Sequence, residues 1–448
     1  MEVMETKLIV LGGGESGVGA ALLGKKLGYR VFLSDKGKLA DRYKDILEKE
    51  AIPFEEGRHT EELIFAADLI VKSPGIPDHI PIIQNIRKKG IEIISEIEFA
   101  GRHSDAKMYC ITGSNGKTTT TLLLYHILKQ AGMDVGLAGN VGNSLAAQVA
   151  ENRHEIYVVE LSSFQLDGMY CFKCDTAILT NITPDHLDRY DYKFENYVGS
   201  KFRIVNNMKP SDLFIYGSDC DVVRERVEKG KIEPEAVGFT YSSDSRLNAY
   251  VEDDAIVARL ENRVFRIEKR AVTIQGRHNV YNAMAAILAA LKAGVSDESL
   301  RKGLTTFPQV EHRLETVAVV GGVTYINDSK ATNVDSAWYA LDSMHAPVVW
   351  IAGGTDKGND YSVLNDLVKE KVKLLICMGM DNRKLIDSFS GICEVVDTHS
   401  LDETIAVAYS RAVAGDVVLL SPCCASFDLF KNYEHRGELF KEKVKALK

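Results

Sequence analysis

Six consecutive residues, Gly113-Ser-Asn-Gly-Lys-Thr118, have the types and spacing needed to hold a chain of phosphates. Gly113 and Gly116 let the backbone turn, and the N–H groups around Ser114 and Asn115 can point at an anion. Lys117 supplies a point charge for the β- and γ-phosphates, and the hydroxyl of Thr118 can ligate Mg²⁺. The strict pattern has a glycine at position 111, where this chain has Ile111, so Gly113 carries the turn. Met108–Thr112 reads as a short buried strand before the loop, and Thr119–Leu128 as a helix after it. A strand, a glycine loop and a helix N-terminus together make a phosphate cradle, which predicts nucleoside triphosphate binding.

Other chemistry-bearing residues fall at strand ends. Glu160 closes the apolar run Ile156–Glu160, where a carboxylate can hold Mg²⁺ against a triphosphate. His186 lies in the polar loop Asn181-Ile-Thr-Pro-Asp-His-Leu-Asp188 after the strand Thr176–Thr180, a placement suited to a metal ligand or polar contact. Nothing local marks Lys201, which reads as a solvated lysine. Asn279 and Asn282 stand at the start of an Ala-rich helix, where they can meet a base edge or a phosphate, or simply cap. Arg313 in Glu311-His-Arg313 offers a fork for a phosphate, with a structural salt bridge as the default.

Near the N-terminus, Gly12-x-Gly14-x-x-Gly17 follows the strand Lys7–Leu11, and Asp35 ends the next strand. This is the setting of a dinucleotide fold, so a dehydrogenase is one reading, a UDP-sugar site a second and a tight turn without ligand a third. Ser73-Pro-Gly75 is a further turn at a strand C-terminus. Toward the C-terminus, Asn327–Asn333, Ala352–Lys357 and Ser421–Asp428 are three polar loops, each after a strand. In a parallel sheet they converge, and Thr332, Lys357 and Ser426 then suit a small anion such as an amino-acid carboxylate.

The elements that must position these residues alternate strand and helix throughout, which predicts an α/β chain built on parallel sheets. Three blocks separate: 1–97, 98–308 with the phosphate loop, and 309–448. A chain of 448 residues, 45% hydrophobic and 26% charged, is globular in composition. No apolar run approaches a membrane span and no signal peptide is visible, so no membrane insertion is expected. A net charge of −9 argues against nucleic acid as the partner. The eight cysteines show no regular framework, which suits a reducing cytoplasm and disfavours zinc.

Taken in order, Gly113–Thr118, Asn181–Asp188, Gly276-Arg-His-Asn-Val-Tyr-Asn282, Glu311–Arg313, Asn327-Asp-Ser-Lys-Ala-Thr-Asn333 and Ser421-Pro-Cys-Cys-Ala-Ser426 resemble the motifs of the Mur ligases of peptidoglycan synthesis. The resemblance spans essentially the whole chain, and the Asn327–Asn333 loop is similar to that of the D-glutamate-adding members. It implies a Rossmann-like N-terminal UDP-binding domain, a central P-loop ATPase domain and a Rossmann-like C-terminal domain that binds the amino acid. The implied activity joins D-glutamate to UDP-N-acetylmuramoyl-L-alanine, driven by ATP with Mg²⁺, in the cytoplasm and as a monomer. It implies that Lys117, His186 and Lys201 are catalytic and that Gly113 to Thr119, Asn279, Asn282, Arg313 and Asp328 bind ATP. Thr118, Glu160, His186 and Lys201 would serve the metal, Lys201 after carbamylation. Gly14, Glu15, Ser16, Asp35, Lys36, Ser73, Gly75 and Asn140 would face the UDP-sugar, and Lys330, Thr332, Lys357, Ser426 and Phe427 D-glutamate. Two features depart from the family's pattern: Glu15-Ser16 sits where more apolar or Thr-bearing versions are also found, and Thr355-Asp356 varies from the commoner Asp-Gly before Lys357. Ligands on different domains imply closure, with the third block swinging on segments near 97 and 308. Readings outside the family are an oxidoreductase with an appended ATP module and a nucleotide-gated binding protein.

Overall fold

The computed structural model describes residues 6–151, 153–230 and 232–447. The chain forms two compact units, Met1–Ala271 with Tyr281–Thr306, and Val272–Val280 with Phe307–Lys448. The first unit holds two sheets. Strands Lys7–Leu11 (β1), Arg30–Asp35 (β2), Phe54–Glu56 (β3), Leu69–Lys72 (β4) and Glu92–Ile94 (β5) run parallel in the order β3-β2-β1-β4-β5. The turns after β1 and β4 therefore meet where the strand order reverses, the usual ligand crevice of an open α/β sheet.

The second sheet comprises Lys107–Thr112 (β6), Val135–Gly139 (β7), Ile156–Glu160 (β8), Thr176–Leu179 (β9), Leu213–Gly217 (β10), Glu235–Phe239 (β11), Ala249–Glu252 (β12), Ala255–Leu260 (β13) and Arg263–Glu268 (β14). Its order is β14-β13-β12-β11-β10-β9-β6-β8-β7, parallel except for the terminal pairings β12–β13 and β13–β14. β6 lies between β8 and β9, so the phosphate loop after β6 is flanked by Glu160 and Asn181. The central strands are buried on both faces and read as continuous apolar runs.

Both sheets of this unit share one core, which runs from Leu8 and Val10 through Leu145 and Val149 to Tyr157 and Val159. Helix Glu15–Lys26 joins it by packing on helix Leu145–Glu151. The approach is close enough that a Cβ on Gly19 would sit 1.9 Å from Ser144 Oγ. Any larger residue at position 19 would separate the glycine-loop helix from the middle sheet.

The second unit carries Glu315–Val320 (β15), Val323–Asn327 (β16), Val348–Gly353 (β17), Val372–Met378 (β18), Glu394–Thr398 (β19) and Val417–Cys423 (β20) in the order β15-β16-β20-β17-β18-β19. Only β15 pairs antiparallel. β16, β20 and β17 are neighbours, so their C-terminal loops share one edge of the sheet. Among the described residues, no helix is long and apolar enough to cross a membrane.

Candidate functional site

In the first unit the loop after β6 is shaped by glycines whose conformations other residues rarely adopt. Gly113 has φ +148° and Gly116, the N-cap of helix Lys117–Gln130, has φ +82°. A Cβ on Gly113 would fall 1.9 Å from Thr180 Oγ1, and one on Gly116 2.3 Å from Asn282 Oδ1. The neighbouring strand end braces the loop: Ser114 N–H donates to Asn181 O (2.9 Å), Asn115 N–H to Asn181 Oδ1 (2.9 Å), and Thr180 Oγ1 to Asn115 O (2.6 Å). The Ser114 hydroxyl donates to Thr183 O and accepts from Thr183 N–H, so this side chain builds the loop. Thr118 and Thr119 are buried at the helix start.

Three charged side chains gather here. Lys117 Nζ donates to Gly113 O (2.8 Å) and Ser114 O (2.7 Å), carbonyls of its own loop. Glu160 is 1% exposed; Asn140 Nδ2 donates to its Oε1 (2.9 Å), while Oε2 is buried without a hydrogen-bond partner. A buried carboxylate oxygen left unpaired is costly, and a cation is the simplest group to satisfy it. The expectation of a solvated Lys201 is overturned: the residue is 2% exposed, with Nζ donating to Gly113 O (2.8 Å) and Thr112 Oγ1 (3.1 Å). Burial, reinforced by the charge of Lys117, holds its pKa well below the ordinary lysine value, which favours the neutral amine. Helix Phe194–Phe202 delivers Lys201 from a distant part of the sequence, so no local pattern could reveal its burial.

His186 sits at φ +52°, half-exposed, with its ring edge-on to Phe164 at 5.2 Å and Nε2 3.7 Å from Asp185 Oδ2. Asn282 is buried, its Oδ1 accepting from Thr120 Oγ1 (3.2 Å). Asn279 is the third residue of helix Arg277–Lys292, so it is not the cap; its Nδ2 donates to Gln275 O (2.8 Å).

Around the first sheet, Asp35 closes the glycine loop, its two oxygens accepting from Gly13 N–H (2.5 Å) and Gly37 N–H (2.6 Å). Gly14 is the N-cap of helix Glu15–Lys26 without a side-chain cap, and a Cβ there would meet open space. Gly12 and Ser73 bring the turns after β1 and β4 together, since a Cβ on Gly12 would lie 2.4 Å from Ser73 Oγ. Glu15 accepts from Tyr43 OH (2.9 Å), Ser16 is half-buried, and Lys36 and Gly75 are exposed. Asn140, expected to face the UDP-sugar, bonds Glu160 beside the phosphate loop through both its backbone N–H and its side chain.

In the second unit the three polar loops do converge. Thr355 N–H donates to Ala425 O (2.8 Å), and Ser421 Oγ to Asp328 Oδ2 (2.9 Å). Buried Arg436, from helix Tyr433–Lys445, donates to Ser329 O (2.8 Å), Ser329 Oγ (3.0 Å) and Cys424 O. Sequence reasoning missed this arginine, which has no motif around it. Burial pushes the Asp328 carboxyl up to about 7, against the opposing pull of Ser421 and Arg313. Arg313 Nε is buried without a hydrogen-bond partner, and the guanidinium acts on the Asp328 carboxyl through its charge. Ser426 is buried, Thr332 half-buried, Lys357 exposed, and Phe427 71% exposed. Lys330 lies with Nζ 4.8 Å from the centre of the Tyr433 ring.

The glycine loop at the end of β6, between Glu160 and Asn181, defines a nucleotide-binding α/β protein of the phosphate-loop class. The chain matches the family models described as MurD N-terminal domain (residues 7–81), Mur ligase middle domain (111–290) and Mur ligase, glutamate ligase domain (312–424). A UDP-N-acetylmuramoylalanine--D-glutamate ligase of Bacteroides fragilis is 52% identical over 98% of this chain and 100% of its own. One from Porphyromonas gingivalis W83 is 53% identical over 99% of each chain. The crystal structure of UDP-N-acetylmuramate-alanine ligase MurC from Thermotoga maritima has the same fold, with a TM-score of 0.63, 20% identity and coverage of 99% of this chain and 100% of that one. This chain belongs to the Mur ligase family, whose members are ATP-dependent. Membership sets aside the nicotinamide reading of the first glycine loop.

Proposed function

We propose that this protein joins D-glutamate to UDP-N-acetylmuramoyl-L-alanine at the expense of ATP, a cytoplasmic step of peptidoglycan synthesis, and acts as a monomer. The observation that carries the proposal is the pairing of a braced phosphate loop with full-length relatives that bear this activity in their names. The alanyl carboxylate attacks the γ-phosphorus, the bond to the β–γ bridging oxygen breaks, and ADP leaves. The amino nitrogen of D-glutamate then attacks the acyl carbon, inorganic phosphate departs and the nitrogen loses a proton. Both steps spread negative charge over phosphoryl oxygens, so fixed positive groups lower the barriers.

Lys117 is assigned to the transferring phosphoryl group, and Arg313 to the same charge; the unpartnered Nε of Arg313 supports that role. Asn282 is assigned to adenine and Asp328 to the ribose. Thr118, Glu160, His186 and a carbamylated Lys201 would hold Mg²⁺, which when bound draws charge from the phosphoryl oxygens. The orphaned Glu160 oxygen fits a cation, and a neutral buried amine at Lys201 is the form able to take up CO₂. Asp35, Ser73 and the open N-terminus at Gly14 are assigned to the UDP-sugar, and Thr332, Lys357 and Ser426 to D-glutamate.

The deciding experiment measures phosphate release from ATP with UDP-N-acetylmuramoyl-L-alanine, supplying D-glutamate, L-glutamate, L-alanine or a diamino acid separately. Release with D-glutamate alone is expected. Release with another amino acid instead would overturn the substrate while keeping the ligase chemistry.

A further inference from the structure

Lys357 leaves β17 on a glycine-rich segment held to the serine loop by one backbone bond, from Thr355 N–H to Ala425 O (2.8 Å). Gly353, Gly354 and Gly358 have φ values of +134°, +127° and +87°, and the lysine itself is exposed. Such a segment is loose unless side chains pin it. The pins are present. Asp356 Oδ1 accepts from the N–H groups of Gly358 (2.7 Å) and Asn359 (3.2 Å) and from Lys384 Nζ (3.1 Å). Its other oxygen accepts from the hydroxyl of Tyr361 at 2.7 Å.

Tyr361 reaches further. The residue is 3% exposed, its ring packs on Phe389 at 6.0 Å, and its hydroxyl lies 3.1 Å from Cys424 Sγ. Asn359 Nδ2 reinforces the junction by donating to Tyr361 Oη and Cys423 O, both at 3.2 Å. Cys424 is two residues before Ser426, and its neighbour Ala425 accepts from Thr355 N–H. One buried phenol thus ties the lysine loop to the serine loop.

We infer that Tyr361, through Asp356 and Cys424, is the positioning residue that fixes Lys357 relative to Ser426 and so sets the affinity for the incoming amino acid's carboxylate. This rests on the proposed role of Lys357 in holding D-glutamate. Burial raises the phenol's pKa further, so the hydroxyl stays a donor throughout the working range. Aromatic packing alone would be satisfied by phenylalanine, and that difference makes the inference testable.

The test compares Tyr361→Phe, Lys357→Ala and the double variant in steady-state kinetics with each substrate varied. Tyr361→Phe is expected to raise KM for D-glutamate about tenfold, the usual scale for one buried hydrogen bond, and to leave KM for ATP and the UDP-sugar unchanged. In the Lys357→Ala background the same change should add nothing, because there is no lysine left to aim. An unchanged KM for D-glutamate in Tyr361→Phe, or an equal rise in both backgrounds, overturns the inference. If Lys357→Ala itself leaves that KM unchanged, the assignment of Lys357 falls first and the inference falls with it. Should Tyr361→Phe fail to fold, Asp356→Asn is read in the same way, with the same expected rise.

Discussion

The loop after β6 and the three loops of the second unit both sit at the C-terminal ends of parallel strands, yet they hold their charges in opposite ways. Around Gly113–Thr118 the stressed group is a cation: Lys201 is buried and held toward its neutral form. Around Asn327–Asn333 it is an anion: Asp328 is buried and its carboxyl is pushed up to about 7. The first region braces its loop mainly through backbone and amide contacts and leaves one Glu160 oxygen unpaired, whereas the second cross-links its loops through Arg436, Ser421 and Tyr361. Under the proposed function the first region gathers phosphates and a cation, for which unsatisfied groups are needed, and the second discriminates a small amino acid, for which the loops must not shift.

The comparison can be broken first at Lys117. Lys117→Ala should lower turnover by on the order of 10³-fold or more while melting stays unchanged, because the side chains of Thr180 and Asn181 still brace the loop. Phosphate release and a thermal melt read the two effects, and retained amide formation would remove Lys117 from the chemistry. Lys201→Met comes next, with turnover down on the order of 10²-fold and a higher melting temperature at neutral pH. The parent bears the cost of burying an amine that the unfolded chain would protonate, and that cost shrinks as pH rises toward the ordinary lysine value. A lower melting temperature in the methionine variant would show the amine to be a structural asset instead.

Asp328 should give the opposite slope. Its carboxyl moves from 3.8 to about 7 on folding, so between these values the folded state binds the extra proton and stability falls as pH rises, by about 4 kcal/mol in all. Asp328→Asn should flatten that stretch of a denaturant-midpoint profile, and a profile identical to the parent's would refute the shift. The smallest effect belongs to Glu96 of helix Glu96–Gly101. Burial moves it from 4.5 to about 6, against hydrogen bonds from Ala146 N–H and Ser144 Oγ. Stability should fall by about 2 kcal/mol as pH rises across that window, and Glu96→Gln should abolish the decline.

Much of the framework was legible because its signals are local. β1 and β8 run over Lys7–Leu11 and Ile156–Glu160 as the apolar runs indicate, since parallel strands buried on both faces announce themselves as short continuous hydrophobic stretches. Glu160 could be placed because it ends such a strand, and the Asn181 loop because it follows one. Helix Phe194–Phe202, by contrast, carries no mark that separates buried Lys201 from a surface lysine. Arg436 and Tyr361 lie outside every motif and matter only through partners distant in sequence.

The sequence by itself determined where strands end, where glycine lets the chain turn, and which phosphate-binding residues stand at those points, because each depends on a few adjacent residues. Only the tertiary structure decided which charges lose their water and which loops are tied together. Burial and hydrogen bonding between distant segments are set by packing, and packing pushes the Lys201 amine toward its neutral form, leaves one Glu160 oxygen without a partner, and joins the loop of Lys357 to that of Ser426.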